Sequence, residues 1–189
     1  MTMTVDKRDY IIPSVHLAEV FHASYKDRGA LAASVEHIVQ DGFYRSVELP
    51  IIENKEDRRR ICEAFLVPGC RVGNVIVWSG LYAAEHELDI NSCDEAIRKK
   101  SVDTLKRLIE EACECGAGNF GVVSGRDTGI LERSCAFRAL MKSLTELTEF
   151  AKEHKQNLIF EPVERFSGRN ALLGNTEDTL QLLELLKPQ

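Results

Sequence analysis

Residues 158–166 read Leu-Ile-Phe-Glu-Pro-Val-Glu-Arg-Phe. The first three are apolar and predict a buried strand, and Pro162, which has no backbone N–H, ends it. Glu161 therefore stands where the chain leaves the strand and enters a loop. In parallel α/β proteins, functional side chains lie at the carboxyl ends of the strands. Glu161 is accordingly the first candidate for a functional carboxylate.

Strand and helix patterns alternate along the rest of the chain. Apolar runs predict strands within residues 10–20, 46–51, 71–78, 120–125 and 158–161, and apolar residues at helical spacing predict helices near 31–41, 56–65, 95–115, 132–154 and 176–186. This order predicts one α/β domain with parallel strands. A closed (β/α)₈ barrel takes about 250 residues, so the chain has room for about five of the eight units.

Two helix starts have recognisable capping signals. Ser92 with Glu95 three residues later has the pattern of a capping box. Asn175 precedes the last helical pattern and is the expected N-cap, with Asp178 at the third helical position. Both signals predict where the helices begin.

Composition narrows the class of protein. The 189 residues are 44% hydrophobic, and 30 acidic against 24 basic side chains give a net charge of −6. That balance argues against a protein that binds the nucleic-acid backbone. The sequence has no run of about 20 apolar residues that could cross a membrane and no secretory signal at its start. We therefore expect a cytoplasmic protein with a single domain over residues 1–189, in which residues 1–9 form a flexible N-terminus.

The cysteines carry no recognisable motif. They are scattered without a Cys-x-x-Cys pair, at positions Cys62, Cys70, Cys93, Cys113, Cys115 and Cys135. Free cysteine is usually buried and behaves as a small apolar residue. The sequence therefore predicts reduced cysteines in or near the core.

Further polar side chains stand at the other predicted strand ends. These are Glu48, the pair Ser79-Gly80, and the run 124–127, Ser-Gly-Arg-Asp. Parallel strands bring their carboxyl ends to one edge, where carboxylates can bind a divalent metal or accept a proton. Glu48 could instead cap its strand or meet Arg45, and for Arg126 with Asp127 we favour an ion pair in a solvated loop.

The run from Glu161 to Phe166, followed by Asn175-Thr176, resembles the xylose isomerase-like TIM-barrel superfamily, and its sugar (phosphate) isomerase/epimerase branch in particular. The segments 41–49, 89–92 and 112–125 fit the same pattern in the same order. The resemblance implies an α/β fold of the (β/α) TIM-barrel type with parallel strands. With about five of eight units present, the barrel would be incomplete.

The resemblance also implies roles for individual residues. Glu161 would bind a divalent metal (Mn, Mg, Co or Zn) and take part in proton transfer beside the substrate carbonyl. Arg165 and Glu48 would lie near the substrate. In the family, an aspartate, a histidine and a second glutamate from the later strands complete the metal site, and these three have no counterpart in this sequence.

Three functions follow from these expectations. The leading one is a metal-dependent isomerase or epimerase acting on a sugar or sugar phosphate. The second is a truncated, inactive barrel or one part of a split assembly, whose open strand edges would favour association into a homo-oligomer. The third is a DNA-repair enzyme related to endonuclease IV, which the net charge disfavours. We therefore expect a small-molecule partner and neither a nucleic acid nor a membrane.

Overall fold

A computed structural model describes residues 11–21, 28–76, 83, 86–163 and 170–187. The strands are β1 (Ser14–His16), β2 (Ser46–Pro50), β3 (Arg71–Ile76), β4 (Asn119–Val122) and β5 (Asn157–Phe160). The helices are α1 (Leu17–Val20), α2 (Arg28–Asp41), α3 (Lys55–Ala64), α4 (Glu95–Glu114), α5 (Arg133–Glu153) and α6 (Thr176–Leu186). Strands and helices alternate as the sequence predicts.

The chain divides into two compact units. Unit 1 comprises Met1–Val75 and Glu114–Gly118, and unit 2 comprises Ile76–Cys113 and Asn119–Gln189. The single-domain assignment stays a prediction, and residues 1–9 lie outside the described residues. Among the helices that the structure describes, none is long and apolar enough to cross a membrane.

Unit 1 is built around β1, β2 and β3, which are neighbours in that order. β1 and β2 run parallel, with Val15 opposite Val47 and His16 opposite Glu48. Every residue of β2 except the half-buried Glu48 is buried, and Val47 and Leu49 are 0% and 1% exposed. Helices α2 and α3 pack against each other. This unit therefore carries the first part of the predicted parallel α/β pattern.

Unit 2 contains β4 and β5, which also run parallel, with Asn119 opposite Asn157 and Val122 opposite Phe160. Helix α5 lies against β5. One face of each long helix is buried, made by Val102, Leu105, Leu108, Ile109 and Ala112 of α4 and by Ala136, Leu140, Leu144, Leu147 and Ala151 of α5. The period of these residues is the one that predicted the helices.

Two local predictions are wrong. Helix α4 starts at Glu95, and its first amides are capped by Asp94, whose Oδ1 accepts from Ala96 N at 2.8 Å and Ile97 N at 3.3 Å. Ser92 Oγ accepts from Asp94 N instead, at 3.2 Å. The strand before Glu161 is not buried either, since Ile159 is 41% exposed. β5 pairs with β4 on one side, and no other strand among the described residues covers its second edge.

Candidate functional site

Glu161 stands directly after β5, as predicted. Its backbone N–H donates to Val122 O at 2.9 Å, so the parallel pairing with β4 extends to this residue. The side chain is exposed. Because β5 is only partly buried and Glu161 is exposed, an ionised carboxylate at this position costs little without a partner. What remains is a carboxylate that a small molecule can reach from solvent.

The backbone after β4 is held by a segment far along the chain. Leu172 N donates to Gly125 O at 2.9 Å, and Asp127 N donates to Asn170 O at 2.7 Å. The buried Ser124 Oγ accepts from Leu173 N at 3.2 Å. We call this arrangement, residues 124–127 paired with residues 170–173, the loop pairing. It fixes the chain that leaves β4 beside the end of the strand.

Within the loop pairing, Asp127 has a different ionic partner from the one expected. Its carboxylate pairs with Arg133 in the first turn of α5, and Arg133 Nε lies 3.3 Å from Asp127 Oδ1. The hydrogen bond from Arg133 to this carboxylate raises the arginine pKa. Arg126 is exposed, and its neighbour in the backbone pairing is Ala171. The predicted Arg126–Asp127 ion pair is therefore replaced by an ion pair that anchors the loop to the helix.

Asp89 and Asn91 lie against the same loop, at Gly125. Asn91 Nδ2 donates to Arg126 O at 3.1 Å, and Asn91 N donates to Asp89 Oδ1 at 3.0 Å. A Cβ on Gly125 would lie 2.6 Å from Asn91 Oδ1 and closer still to Asp89 Oδ1. Two acceptor oxygens therefore point at the same stretch of backbone, and only glycine leaves room for them.

The electrostatics of this contact are unusual. Asn91 is fully buried, and its Oδ1 has no hydrogen-bond donor among the described residues. Burial raises the pKa of Asp89, and the bond from Asn91 N acts in the opposite direction. Ser101 Oγ lies 2.8 Å from Asp89 N. Asp89 and Asn91 therefore support the end of β4, a role that sequence reasoning missed although the Asp-x-Asn pattern before a long helix was visible.

Glu48 lies inside β2 rather than at its end, since the strand continues to Pro50. It is half-buried and stands opposite His16 of β1 in the parallel register. His16 Nδ1 accepts from Glu19 N at 3.3 Å, which caps the short helix α1. Glu48 belongs to unit 1 and Glu161 to unit 2. The convergence of these two carboxylates stays a prediction.

The remaining predicted site residues are not described. Arg165 and the pair Ser79-Gly80 lie outside the described residues. No group of three or more His, Cys, Asp or Glu side chains in the described part of the chain could hold a metal ion. Glu161 by itself does not make a metal site.

Comparisons with known proteins agree on the fold. Residues 35–189 match the family model described as a xylose isomerase-like TIM barrel. No sequence among the curated proteins is a match. The family match and a solved structure that aligns with 94% of this chain confirm the predicted α/β fold of the TIM-barrel type.

Three solved structures show classes of protein that share this fold. An AP endonuclease of family 2 from Brucella melitensis matches with a TM-score of 0.72 and 12% identity, over 94% of this chain and 65% of that one. A D-psicose 3-epimerase, solved in the presence of D-fructose, matches with a TM-score of 0.70 and 12% identity. The match covers 95% of this chain and 61% of the epimerase chain. An IOLI protein with a bound zinc atom matches with a TM-score of 0.64 and 12% identity. The match covers 83% of this chain and 53% of the IOLI chain. The chain therefore spans between about half and two thirds of the length of these structures.

Proposed function

The chain belongs to the xylose isomerase-like TIM-barrel family, and we propose that it takes part in isomerisation or epimerisation of a sugar or sugar phosphate. The observation that carries the proposal is the place of Glu161, an exposed carboxylate directly after β5 and next to β4 in a parallel pair. This is the edge at which TIM-barrel enzymes hold their reacting groups. The match to a D-psicose 3-epimerase supports a sugar as the substrate class.

In the proposed reaction, Glu161 accepts the proton from the carbon next to the substrate carbonyl and returns it to the same or the neighbouring carbon. A positioned carboxylate of this kind contributes about 10²- to 10⁴-fold to the rate. The loop pairing holds the chain after β4, the strand whose Val122 O accepts from the backbone N–H of Glu161. Arg165 and Glu48 are proposed to contact the substrate.

A divalent metal would polarise the carbonyl oxygen. A zinc atom in one structural neighbour supports this cofactor. Glu161 is the proposed ligand, although no group of three or more His, Cys, Asp or Glu side chains among the described residues could hold a metal. We therefore propose that Glu161 transfers the proton and that the cofactor is Mn, Mg, Co or Zn.

The match to an AP endonuclease raises DNA as a competing ligand. The net charge of −6 does not favour it, because binding to the phosphate backbone depends on clustered Lys and Arg. We propose a small-molecule partner, a cytoplasmic location and self-association of the chain. Salt-dependent binding to a duplex with an abasic site would contradict this choice of partner.

The test measures exchange of the substrate proton with solvent rather than the formation of one chosen product. The purified chain is incubated in D₂O with a panel of ketohexoses and ketose phosphates and with each of the four metals, and deuterium at the carbon next to the carbonyl is measured by NMR. We expect incorporation with the wild type and a loss of at least about 100-fold in Glu161→Gln.

Glu153→Gln is the matched control. Glu153 is also exposed, and it ends α5 just before β5 begins, so it lies toward the opposite end of that strand from Glu161. Its substitution should leave incorporation unchanged. Full incorporation in Glu161→Gln would remove that residue from the chemistry, and no incorporation by the wild type with any substrate would contradict the isomerase proposal itself.

A further inference from the structure

Two cysteines of unit 1 lie in direct contact although 53 positions separate them. Cys62, on α3, has its Sγ 3.0 Å from the Sγ of Cys115, in the turn that follows α4. Cys62 Sγ also lies 3.1 Å from Glu114 O. A disulfide bond is about 2.0 Å long, so the two sulfur atoms need to approach by only about 1 Å to become bonded.

We propose that Cys62 and Cys115 form a reversible dithiol–disulfide site, with Cys62 as the attacking and Cys115 as the resolving thiol. The difference in burial assigns the roles. Cys62 is half-buried and can meet a small reagent, whereas Cys115 is 7% exposed. The proposal concerns unit 1 and does not depend on the function proposed for Glu161.

The environment of Cys115 supports its role as the resolving thiol. Burial and the neighbouring Cys62 thiol raise the pKa of Cys115, and the Arg58 guanidinium acts in the opposite direction. Arg58 is itself held by Glu114, with Nε 3.3 Å from Oε2. Since the thiolate is the reactive form and Cys115 is buried, a reagent from solution reacts with Cys62 first, and Cys115 reacts with the mixed disulfide that forms beside it on Cys62.

The oxidant is a small-molecule disulfide such as oxidised glutathione. In the first step the Cys62 sulfur attacks one sulfur of that disulfide, the small disulfide bond breaks, and one molecule of the small thiol leaves with the Cys62 proton. In the second step the Cys115 sulfur attacks Cys62, and the second small thiol leaves with the Cys115 proton. Two protein thiols lose two electrons, and one small disulfide becomes two thiols.

Metal binding is a weaker explanation of the same contact. A thiolate site for zinc takes four ligands. Within the described ranges, no three His, Cys, Asp or Glu side chains gather to hold a metal. The Cys62–Cys115 pair therefore has the composition of a redox pair.

The experiment uses the full chain equilibrated with oxidised and reduced glutathione at a series of ratios, then quenched with acid, alkylated and mapped by mass spectrometry without reduction. We expect a peptide cross-linked between Cys62 and Cys115, a loss of two free thiols and full reversal by dithiothreitol. The wild type alone decides this point, so that no variant has to fold.

Single variants test the roles. In Cys115→Ser the resolving thiol is gone, and we expect glutathione to accumulate on Cys62. In Cys62→Ser we expect Cys115 to stay unmodified because it is buried. Cys70→Ser removes another buried thiol of unit 1 and should form the cross-link as the wild type does.

The experiment must distinguish the Cys62–Cys115 contact from a second contact between thiols. In unit 2, a hydrogen bond with Cys135 raises the pKa of Cys93 to about 11. The double variant Cys93→Ser/Cys135→Ser removes that contact and should still lose two thiols. The proposal is overturned if the Cys62–Cys115 peptide is absent at every glutathione ratio, or if glutathione attaches to Cys115 in Cys62→Ser and not to Cys62 in Cys115→Ser.

Discussion

Gly125 occupies a position at which the backbone and two side-chain oxygens converge. Asp89 and Asn91 reach it from the loop before α4, and their contacts leave no room for a Cβ. The sequence showed the glycine and the two polar residues, but it placed them 34 to 36 positions apart without a signal that they meet. Local patterns cannot predict such a contact, because it depends on how the loop before α4 packs against β4.

Gly125→Ala tests the contact directly. A Cβ there would collide with both oxygens, and overpacking of this kind typically costs about 1–3 kcal/mol of the free energy of unfolding. Gly118→Ala is the matched control, since a Cβ at Gly118 meets nothing within 4 Å. Urea unfolding of the two variants and the wild type should separate them. Equal stability of the two variants would show that the loop moves aside at no cost.

Asp89 gives the same contact a pH dependence. Its pKa in the folded state is raised above the ordinary value of 3.8, so the folded chain binds this proton more tightly than the unfolded chain. The contribution of Asp89 to stability is therefore fully present below pH 3.8 and is lost as the pH rises through the raised pKa.

Asp89→Asn removes this titration while keeping an oxygen that can accept from Asn91 N. The stability of the wild type relative to Asp89→Asn should fall as the pH rises from about 3.8. Urea unfolding of both proteins from pH 3 to pH 8 measures the difference. A difference that does not change with pH would show that Asp89 has the same pKa in both states.

Helices α4 and α5 are joined by a buried arginine that no pattern predicted. Arg98 is 1% exposed, and its guanidinium donates to Glu95, Glu146 and Ser143 at 2.7–2.9 Å. Ser143 Oγ in turn donates to Ile90 O at 2.7 Å. The hydrogen bonds to Arg98 and Lys142 lower the pKa of Glu95 to about 2. One side chain thus connects two helices and the loop before them.

Arg98→Ala should lower the free energy of unfolding by about 2–4 kcal/mol, because it leaves a cavity between the helices and removes the hydrogen-bond donor to Ser143 Oγ. Lys99→Ala changes the neighbouring, exposed residue of the same helix and should stay within about 0.5 kcal/mol of the wild type. Thermal or urea unfolding of both variants measures this. Similar losses in the two would mean that Arg98 adds little beyond an ordinary exposed position.

Helix starts show where sequence reasoning succeeds and where it fails. Asn175 caps α6 as predicted, with Oδ1 accepting from Asp178 N at 2.7 Å. At α4, Ser92 has the capping pattern, but Asp94 is nearer to the first helical turn and takes the role. The strand β5 was predicted as buried from its composition, yet burial also depends on what lies over a strand.

For the chain as a whole, the alternation of strands and helices and the parallel pairing were predictable because they follow from apolar periodicity and connection lengths. The family assignment is confirmed by the match over residues 35–189. Whether Glu48 and Glu161 lie close together could not be predicted in the same way, because the two residues belong to different units. The function therefore rests on the family and on one carboxylate.

The loop pairing also has a consequence for the order in which the protein can form during synthesis. Its bonds join residues 43 and 49 positions apart, from Asn170 to Asp127 and from Leu173 to Ser124. A growing chain that has reached α5 lacks the partners of this loop, and the backbone after β4 stays open until residues 170–173 leave the ribosome. The edge next to Glu161 is therefore completed only after β5 and residues 170–173 have been made.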